Sequence, residues 1–295
     1  MTPEADSLRM LLTGCASGMG QHVADCCVAA GHRLIATDVD YDRLSDYAAK
    51  RGWREPQVYI ERLNVCEPTR WDDVVRLAVE RFAELDVLMN FAGVVTPGHV
   101  HDAPPEAISR HIDINAKGTM FGTQAAARQM VRQGHGHIIN MGSMASLAPV
   151  PGIALYSASK FAVRGFSLAV AQELRPKGVF VTLVCPDAVQ TPMLDLQVDY
   201  PEAALTFSGR RALTVEEVSR VILGRVLKRR PLEVIIPRSR GWLAKLTSAV
   251  PAMAAPLVPR LTSKGLARQA AVQKARNRPV QHDGATRGNA STEAR

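Results

Sequence analysis

Three residues in the middle of the chain have the types and the spacing for proton transfer. Tyr156 and Lys160 are four positions apart, and Ser143 precedes the tyrosine by thirteen residues. Helical side chains at i and i+4 share one face, so the Lys160 ammonium is expected beneath the Tyr156 phenol. A free phenol has a pKa of about 10, and a neighbouring cation favours its ionised form. The trio predicts a tyrosine that exchanges a proton, although such a pair alone also arises by chance on surface helices.

A glycine-rich turn near the start of the chain has the spacing of a dinucleotide-binding loop. Gly14, Gly18 and Gly20 follow an apolar run and open a helical segment, where free N–H groups attract phosphate. Asp38 follows Gly20 by eighteen residues, and a carboxylate there can accept both adenosine ribose hydroxyls. A 2′-phosphate would meet like charge, so these residues predict NAD rather than NADP. The aspartate is equally suited to cap the helix after it.

The rest of the chain alternates apolar runs with amphipathic segments. Helical periodicity fills the intervals between runs that begin near residues 8, 32, 58, 87, 137, 179 and 233. This alternation predicts an α/β fold with a Rossmann-type, doubly wound parallel sheet of about seven strands. We expect a single dinucleotide-binding catalytic domain over residues 1–237, an amphipathic basic extension over 238–276 and a disordered tail over 277–295.

Composition narrows the possible partners. The net charge is +8, but residues 238–295 hold 11 Lys/Arg against 2 Asp/Glu, so the excess belongs to the end of the chain. Without interleaved aromatics, this basic stretch predicts no specific nucleic-acid site. Five cysteines without paired spacing predict neither disulfides nor a metal site and suit the cytoplasm. The polar first residues do not resemble a signal peptide.

Taken in order, these motifs resemble the short-chain dehydrogenase/reductase family in its compact single-domain form. The resemblance covers about residues 7–237, and a basic C-terminal extension follows the resembling part of the chain. It rests on the glycine loop, Asn90-Phe91-Ala92-Gly93, Asn115, Ser143, Tyr156-x-x-x-Lys160, and Pro186 followed by Thr191. It implies an NAD(P)-dependent oxidoreductase that interconverts a secondary alcohol and a ketone, or an aldehyde and an alcohol.

The resemblance also implies a role for each residue. Tyr156 would be the general acid–base, Ser143 would hold the substrate oxygen, and Lys160 would lower the tyrosine pKa and bind the nicotinamide ribose. Asn115 would complete this catalytic set by holding a water against Lys160. The cofactor would be bound by Gly14, Ser17, Gly18, Met19, Gly20, Asp38, Asn64, Val65, Asn90, Ala92, Gly93, Tyr156, Lys160, Pro186, Val189 and Thr191. Singly, Asn115, Ser143 and Thr191 are equally suited to capping or turn roles.

Three positions depart from the family pattern. Asn64 stands where an aspartate usually touches the adenine, and its carbonyl can still accept from the amino group. Phe91 replaces a second asparagine, for which we expect altered packing only. Asp187 replaces the glycine usual after Pro186 and puts a carboxylate near the nicotinamide. The pattern does not decide whether this carboxylate changes affinity.

The segments that border the substrate pocket in this family are apolar here. Residues 144–155 and 192–208 contain no Arg or Lys, which predicts a lipophilic alcohol or ketone rather than a charged substrate. The same residues are equally typical of core. A non-catalytic dinucleotide-sensing regulator or scaffold is the alternative function, disfavoured by the complete catalytic set. An epimerase or dehydratase of the extended branch is disfavoured by the glycine spacing.

The extension contains a short amphipathic segment. Trp242, Leu243 and Leu246 share a face with Val250, and Lys245 lies opposite. We expect this face to pack on the domain, over the substrate mouth or on a neighbouring subunit. Contact with an anionic membrane through residues 238–260 is the alternative.

Three further expectations concern helices. Pro251, Pro256 and Pro259 are expected to prevent a long helix beyond residue 250. Continuous helices are expected near residues 116–133, 155–175, 192–208 and 214–228. The family resemblance implies a homo-oligomer, a dimer or tetramer, formed through the first two of these helices.

Overall fold

The computed structural model describes residues 7–254 and 256–276. Its centre is a parallel sheet of seven strands in the order β3-β2-β1-β4-β5-β6-β7. The strands are β1 (Arg9–Thr13), β2 (Arg33–Asp38), β3 (Val58–Arg62), β4 (Val87–Asn90), β5 (Gly136–Met141), β6 (Val179–Pro186) and β7 (Glu233–Ile236). The predicted doubly wound sheet is confirmed.

Helices fill the intervals between strands and cover both faces of the sheet. They are α1 (Gly18–Ala29), α2 (Tyr41–Arg51), α3 (Pro68–Phe82), α4 (Pro105–His111), α5 (Gly118–Gln133), α6 (Ala154–Leu174), α7 (Pro192–Asp195), α8 (Val215–Val221), α9 (Leu227–Arg229), α10 (Arg238–Ala249), α11 (Pro251–Ala254) and α12 (Val258–Arg276). Met10 and Leu12 of β1 join one hydrophobic core, and Leu11 between them joins the other. Each is fully buried, which contributes about 1.5–3 kcal/mol per side chain to folding.

The strand order creates one crevice at the carboxyl edge of the sheet. β1 lies between β2 and β4. The chain first adds β2 and β3 on one side of β1, and then crosses over to add β4 on the other side. Ligands of open α/β sheets bind at such a switch point, outside the carboxyl ends of the strands. Thr13 ends β1 and Asn90 ends β4 at this edge.

Three of the predicted helices are not regular α-helix throughout. Ile112–Lys117 and Ile222–Val226 are π-helical, a wider turn that inserts a residue and often marks functional sites. Instead of one helix over 192–208, the chain forms α7 and then a 3₁₀ segment, Pro201–Ser208. Pro201 is the first residue of the 3₁₀ segment, a position where an N–H has no helical partner.

The extension is helical through residue 276. The expectation that prolines prevent a long helix is wrong for α12, because Pro259 stands in its first turn, where an N–H has no helical partner. On α10, Gly241 and Ala244 are buried, whereas Trp242 is 76% exposed. The predicted apolar face of α10 is therefore turned outward, and packing of that face within this chain is wrong.

Residues 277–295 lie outside the described part of the chain, so their predicted disorder stays a prediction. Among residues 7–254 and 256–276, the helices are all too short or too polar to span a membrane.

Candidate functional site

The glycine loop brings three backbones into direct contact. A Cβ on Gly20 would lie 2.2 Å from the Gly14 carbonyl oxygen, so α1 starts against the end of β1. Gly14 has φ +70°, and a Cβ there would lie 3.0 Å from the Ala92 nitrogen. Ser17 is the extended N-cap residue of α1, and the first turn holds no acidic residue. The loop leaves room only for glycine and presents a helix N-terminus to the crevice.

Asp38 lies beside this loop at the end of β2. Its carboxylate oxygens accept from the Ala16 N–H at 2.8 Å and from the Asp40 N–H at 3.0 Å. Arg62 is in register with Asp38 on β3, but its guanidinium donates to the Val39 carbonyl and pairs with Asp42 at 3.5 Å. Sequence reasoning missed Arg62, because only the β2–β3 register brings it to this position.

The ends of β1 and β4 are joined by side chains. The Thr13 hydroxyl accepts from the N–H groups of Phe91 and Ala92, both at 3.1 Å. Asn90 is 4% exposed, and its side-chain amide nitrogen donates to the side-chain amide oxygen of Asn140 at 2.8 Å. Asn90 therefore braces the sheet from inside. The backbone of Ala92 is what lies against the glycine loop.

The residues after β3 form a turn at the outer end of the crevice. The Asn64 carbonyl oxygen accepts from the Cys66 N–H at 3.1 Å, and its amide donates to Glu67 at 2.8 Å. The Val65 carbonyl accepts from the Trp71 indole at 3.0 Å. Asn64 thus has a structural role in this turn besides the predicted adenine contact.

Ser143, Tyr156 and Lys160 meet where β5 and α6 adjoin. Ser143 follows β5 and caps the 3₁₀ segment Met144–Ser146, accepting from the Ala145 N–H at 3.1 Å. The Lys160 ammonium lies 5.6 Å from the centre of the Tyr156 ring, on the helical face that the spacing predicts. It is buried and donates to the Met141 carbonyl at 2.7 Å.

Burial decides the ionisation of this pair. It raises the pKa of Tyr156 to about 12, against the lowering effect of the Ser143 hydroxyl. Burial also lowers the pKa of Lys160 to about 8. The predicted lowering of the tyrosine pKa by Lys160 stays a prediction, because burial acts against the charged form of both groups.

Asn115 occupies the π-helical turn before α5 and is fully buried. Its side-chain amide makes two hydrogen bonds to the Val94 backbone: it accepts from the N–H at 2.8 Å and donates to the carbonyl at 2.9 Å. It also donates to the Ser159 hydroxyl at 2.9 Å. A Cβ on Gly93 would lie 3.3 Å from the Asn115 oxygen and 3.8 Å from the Lys160 nitrogen. Asn115 thus fixes the chain that runs past Lys160.

The segment after β6 closes the crevice on the opposite side. A Cβ on Gly18 would lie 3.6 Å from Thr191, so this segment reaches the glycine loop. Val189 is bridged to Leu213, and the Thr191 hydroxyl donates to the Val189 carbonyl at 3.2 Å. Pro186 is buried at the end of β6.

The unusual Asp187 has a partner from the extension. Its side chain is 10% exposed, and its carboxylate pairs with Arg240 of α10 at 3.1 Å. Burial raises the pKa of Asp187, and the Arg240 charge acts in the opposite direction. The carboxylate left unexplained by the sequence is thus half of an ion pair.

A family model described as short chain dehydrogenase matches residues 9–200. The chain belongs to the short-chain dehydrogenase family. It is therefore an NAD(P)-dependent oxidoreductase that acts on CH–OH donors, which confirms the predicted family and reaction class.

Relatives of this short-chain dehydrogenase include enzymes with named substrates and structures with bound cofactors. The 3-alpha-(or 20-beta)-hydroxysteroid dehydrogenase of Mycobacterium bovis is 33% identical over 213 residues, 72% of this chain and 80% of that enzyme. A short chain dehydrogenase/reductase from Burkholderia phymatum, solved in complex with NAD, has a TM-score of 0.73 at 23% identity, covering 87% of this chain and 96% of that one. ElxO, solved with NADP bound, has a TM-score of 0.69 at 22% identity, covering 78% and 97%.

Several residues of this dehydrogenase's crevice were missed by sequence reasoning. Thr13, Ser159 and the Met141 carbonyl all bind predicted site residues, as the contacts above describe. A hydroxyl at a strand end or one residue before a lysine is too common to single out. A signal in the sequence existed only at Asp187, because a carboxylate in place of the usual glycine needs an oppositely charged partner.

Proposed function

We propose that this short-chain dehydrogenase interconverts a lipophilic secondary alcohol and its ketone, with NAD as cofactor and Tyr156 as general acid–base. The observation that supports this most is the meeting of Tyr156, Ser143 and Lys160 at the crevice edge that also holds the glycine loop. NAD fits this loop, because the first turn of α1 holds no acidic residue and its free N–H groups attract phosphate. When bound, NAD supplies the hydride acceptor or donor.

The proposed roles follow from the polar atoms available. Tyr156 gives a proton to the ketone oxygen in reduction and takes one from the alcohol in oxidation. Ser143 donates a hydrogen bond to the same oxygen and holds it against the phenol. A phenol with a raised pKa is protonated at neutral pH and suits reduction. Oxidation needs the phenolate, which the positive charge of Lys160 favours. Asn115 keeps the backbone beside Lys160 in place.

The cofactor residues are proposed in four groups. Asp38 accepts the adenosine ribose hydroxyls, and Asn90, Ala92 and Gly93 lie beside the same ribose. Gly14, Ser17, Gly18, Met19 and Gly20 surround the pyrophosphate. Adenine lies by Asn64 and Val65, and the nicotinamide half is held by Tyr156, Lys160, Pro186, Val189 and Thr191. Of these, Asn90 acts through the backbone or the sheet, because its side chain is buried.

The preference for NAD is tested by Asp38→Asn. Hydrogen bonds to a charged group contribute about 1.5–3 kcal/mol each, so we expect NADH to bind about tenfold to a hundredfold more weakly. NADPH should bind more tightly than to the wild type, because like-charge repulsion is removed and Arg62 is nearby. Fluorescence titration with both cofactors measures the ratio.

Asp40→Asn is the matched control, because Asp40 is an exposed neighbour that caps α2 by accepting from the Arg43 N–H at 3.2 Å. It should leave the NADH to NADPH affinity ratio within twofold of wild type. An unchanged ratio in Asp38→Asn would contradict the proposed NAD preference.

A lipophilic substrate is supported by the surroundings of Tyr156. Val95, Ile153 and Ala203 are buried together, with Tyr156 and Met193 packed against them. A cavity of about 270 Å³ adjoins Leu155; Asp102 and Glu202 are among its lining residues and Lys and Arg are not, which disfavours an anionic substrate there. The sterol-like substrate in the name of the M. bovis relative adds support. NAD reduction with a panel of hydroxysteroids and long-chain secondary alcohols tests this, and preference for a charged sugar phosphate would contradict it.

We also propose a homo-oligomer through α5 and α6. An apolar groove of about 660 Å³ runs between these helices and includes Phe121, Phe166 and Val170. A second copy would cover surface that is costly to leave in water. Light scattering at several concentrations measures the mass, and a monomer throughout would contradict this proposal.

Membrane contact is proposed for the outward face of α10. Trp242, Leu243, Leu246 and Val250 are all exposed, and residues 238–276 contain no Asp or Glu. An exposed apolar face within a purely basic stretch suits anionic lipid. Co-sedimentation with phosphatidylserine vesicles, absent with neutral vesicles and reduced in Trp242→Ser, is the expected result.

The five free cysteines support a cytoplasmic location.

A further inference from the structure

The segment between β6 and α8 is held from outside by the extension. This segment, residues 187–209, is called the substrate loop below because it carries Met193 and Ala203, which pack with Tyr156. The family match ends at residue 200, so the helices that follow lie beyond it. Two of those helices, α10 and α12, bind the substrate loop at its ends and at its middle.

Arg240 of α10 ties the two ends of the substrate loop together. One guanidinium nitrogen pairs with Asp187 at 3.1 Å, and another donates to the Ser208 hydroxyl at 3.1 Å. The space is fully used, because a Cβ on Gly209 would lie 2.3 Å from the Arg240 guanidinium. Arg268 of α12 also donates to the Ser208 carbonyl, at 2.9 Å.

Gln269 of α12 holds the middle of the substrate loop. The side chain is 4% exposed, and its amide nitrogen donates to the carbonyls of Gln197 and Tyr200, both at 2.8 Å. One turn earlier, a Cβ on Gly265 would lie 1.9 Å from the Ala204 carbonyl oxygen. The helix therefore approaches the loop backbone to backbone, and the Gln269 amide adds a second donor to two carbonyls that already accept from the Tyr200 and Ala203 N–H groups of the loop.

On its other side the substrate loop rests against the turn before Tyr156. A Cβ on Gly152 would lie 1.9 Å from the Glu202 carbonyl oxygen. Ala203 and Ala204 are both 0% exposed. The loop is thus a layer between α12 and the chain that leads into α6, and a shift of α12 reaches Tyr156 through close backbone contacts.

We propose that Gln269 and Arg240 are positioning residues that fix the substrate loop as a rigid wall of the pocket. We expect them to act through the loop, to which all their bonds described above are made. This inference rests on the proposed function for its effect on catalysis, because it assumes that the substrate lies beside Tyr156. The bonds from Gln269 and Arg240 to the substrate loop, called the clamp below, are a structural property. Their effect on the loop is measured without turnover.

The first experiment is amide hydrogen exchange of the full chain, comparing wild type with Gln269→Met. Methionine fills a similar volume without a donor, so the Gln197 and Tyr200 carbonyls keep their backbone donors and lose the bonds that tie them to α12. We expect exchange of peptides within 190–208 to rise about tenfold or more, with β5 and β6 unchanged. Gln273→Met is the matched control, because Gln273 lies one turn further on, is exposed and donates only to the exposed side chain of Asp199, not to a backbone carbonyl of the loop. It should leave loop exchange unchanged.

The second experiment is kinetic and uses whichever hydroxysteroid or secondary alcohol the wild type oxidises. Gln269→Met should raise KM for that substrate about tenfold, while NADH affinity by fluorescence changes less than threefold. Arg240→Met should do the same and serves if Gln269→Met does not fold. Arg240→Lys, which keeps the charge, should recover most of the loss.

The outcomes separate the two proposals. Unchanged loop exchange in both Gln269→Met and Arg240→Met would overturn the clamp, whatever the activity. Raised exchange with an unchanged KM would overturn the positioning role. If the wild type oxidises nothing in the panel, the proposed substrate class fails, and the exchange result still decides the clamp.

Discussion

Replacement of Tyr156 by phenylalanine is expected to reduce kcat at least a thousandfold while NADH still binds. The change removes one oxygen, and general acid–base groups contribute about 10²–10⁴ in rate. The ring itself stays, with its packing against Val95, Ile153 and Met193. Stopped-flow turnover in both directions, with fluorescence titration of NADH, separates the chemical step from cofactor binding.

Tyr59→Phe is the matched control for this loss. Tyr59 lies on β3 and packs against Phe82, with ring centres 5.7 Å apart, on an outer strand of the sheet. The same atom is removed there, so kcat should stay within twofold of wild type. Retention of more than a tenth of wild-type kcat in Tyr156→Phe would show that another group transfers the proton.

Replacement of Gly20 by alanine is expected to weaken NADH binding at least a hundredfold and to lower the melting temperature. The added Cβ would lie 2.2 Å from the Gly14 carbonyl oxygen and 3.0 Å from that of Thr13, and both are backbone atoms. The start of α1 must move away from β1, which spreads the loop proposed to surround the pyrophosphate. Overpacking of this kind costs about 1–3 kcal/mol. Titration calorimetry and thermal unfolding measure the two effects.

Gly224→Ala is the control for a helical glycine. Gly224 lies in the π-helical segment Ile222–Val226, and a Cβ there would meet nothing within 4 Å. Alanine in an open helical position stabilises by about 1 kcal/mol or less, so the melting temperature should not fall. NADH affinity in Gly20→Ala equal to that of the control would contradict the assignment of the glycine loop.

Much of the fold can be predicted from the sequence, because it depends on the local pattern of apolar and polar residues. Buried parallel strands require apolar runs, and each βαβ unit follows from one run, one amphipathic segment and the next run. The same holds for the placement of Tyr156 over Lys160, which needs only one turn of helix, and for the glycines that open α1. These residues are neighbours in the chain, so spacing alone predicts that they meet.

Tertiary structure decided what depends on distant neighbours. Arg240 reaches Asp187, and Gln269 reaches Gln197, a separation of 72 residues that no local period encodes. The outward turn of α10 is decided by what Gly241 and Ala244 pack against, since both faces of that helix contain apolar residues. The raised pKa of Tyr156 likewise depends on burial by the whole fold, which outweighs the lowering effect of the Ser143 hydroxyl. Spacing along the chain therefore determined which groups carry the chemistry, and packing determined how they are held and charged.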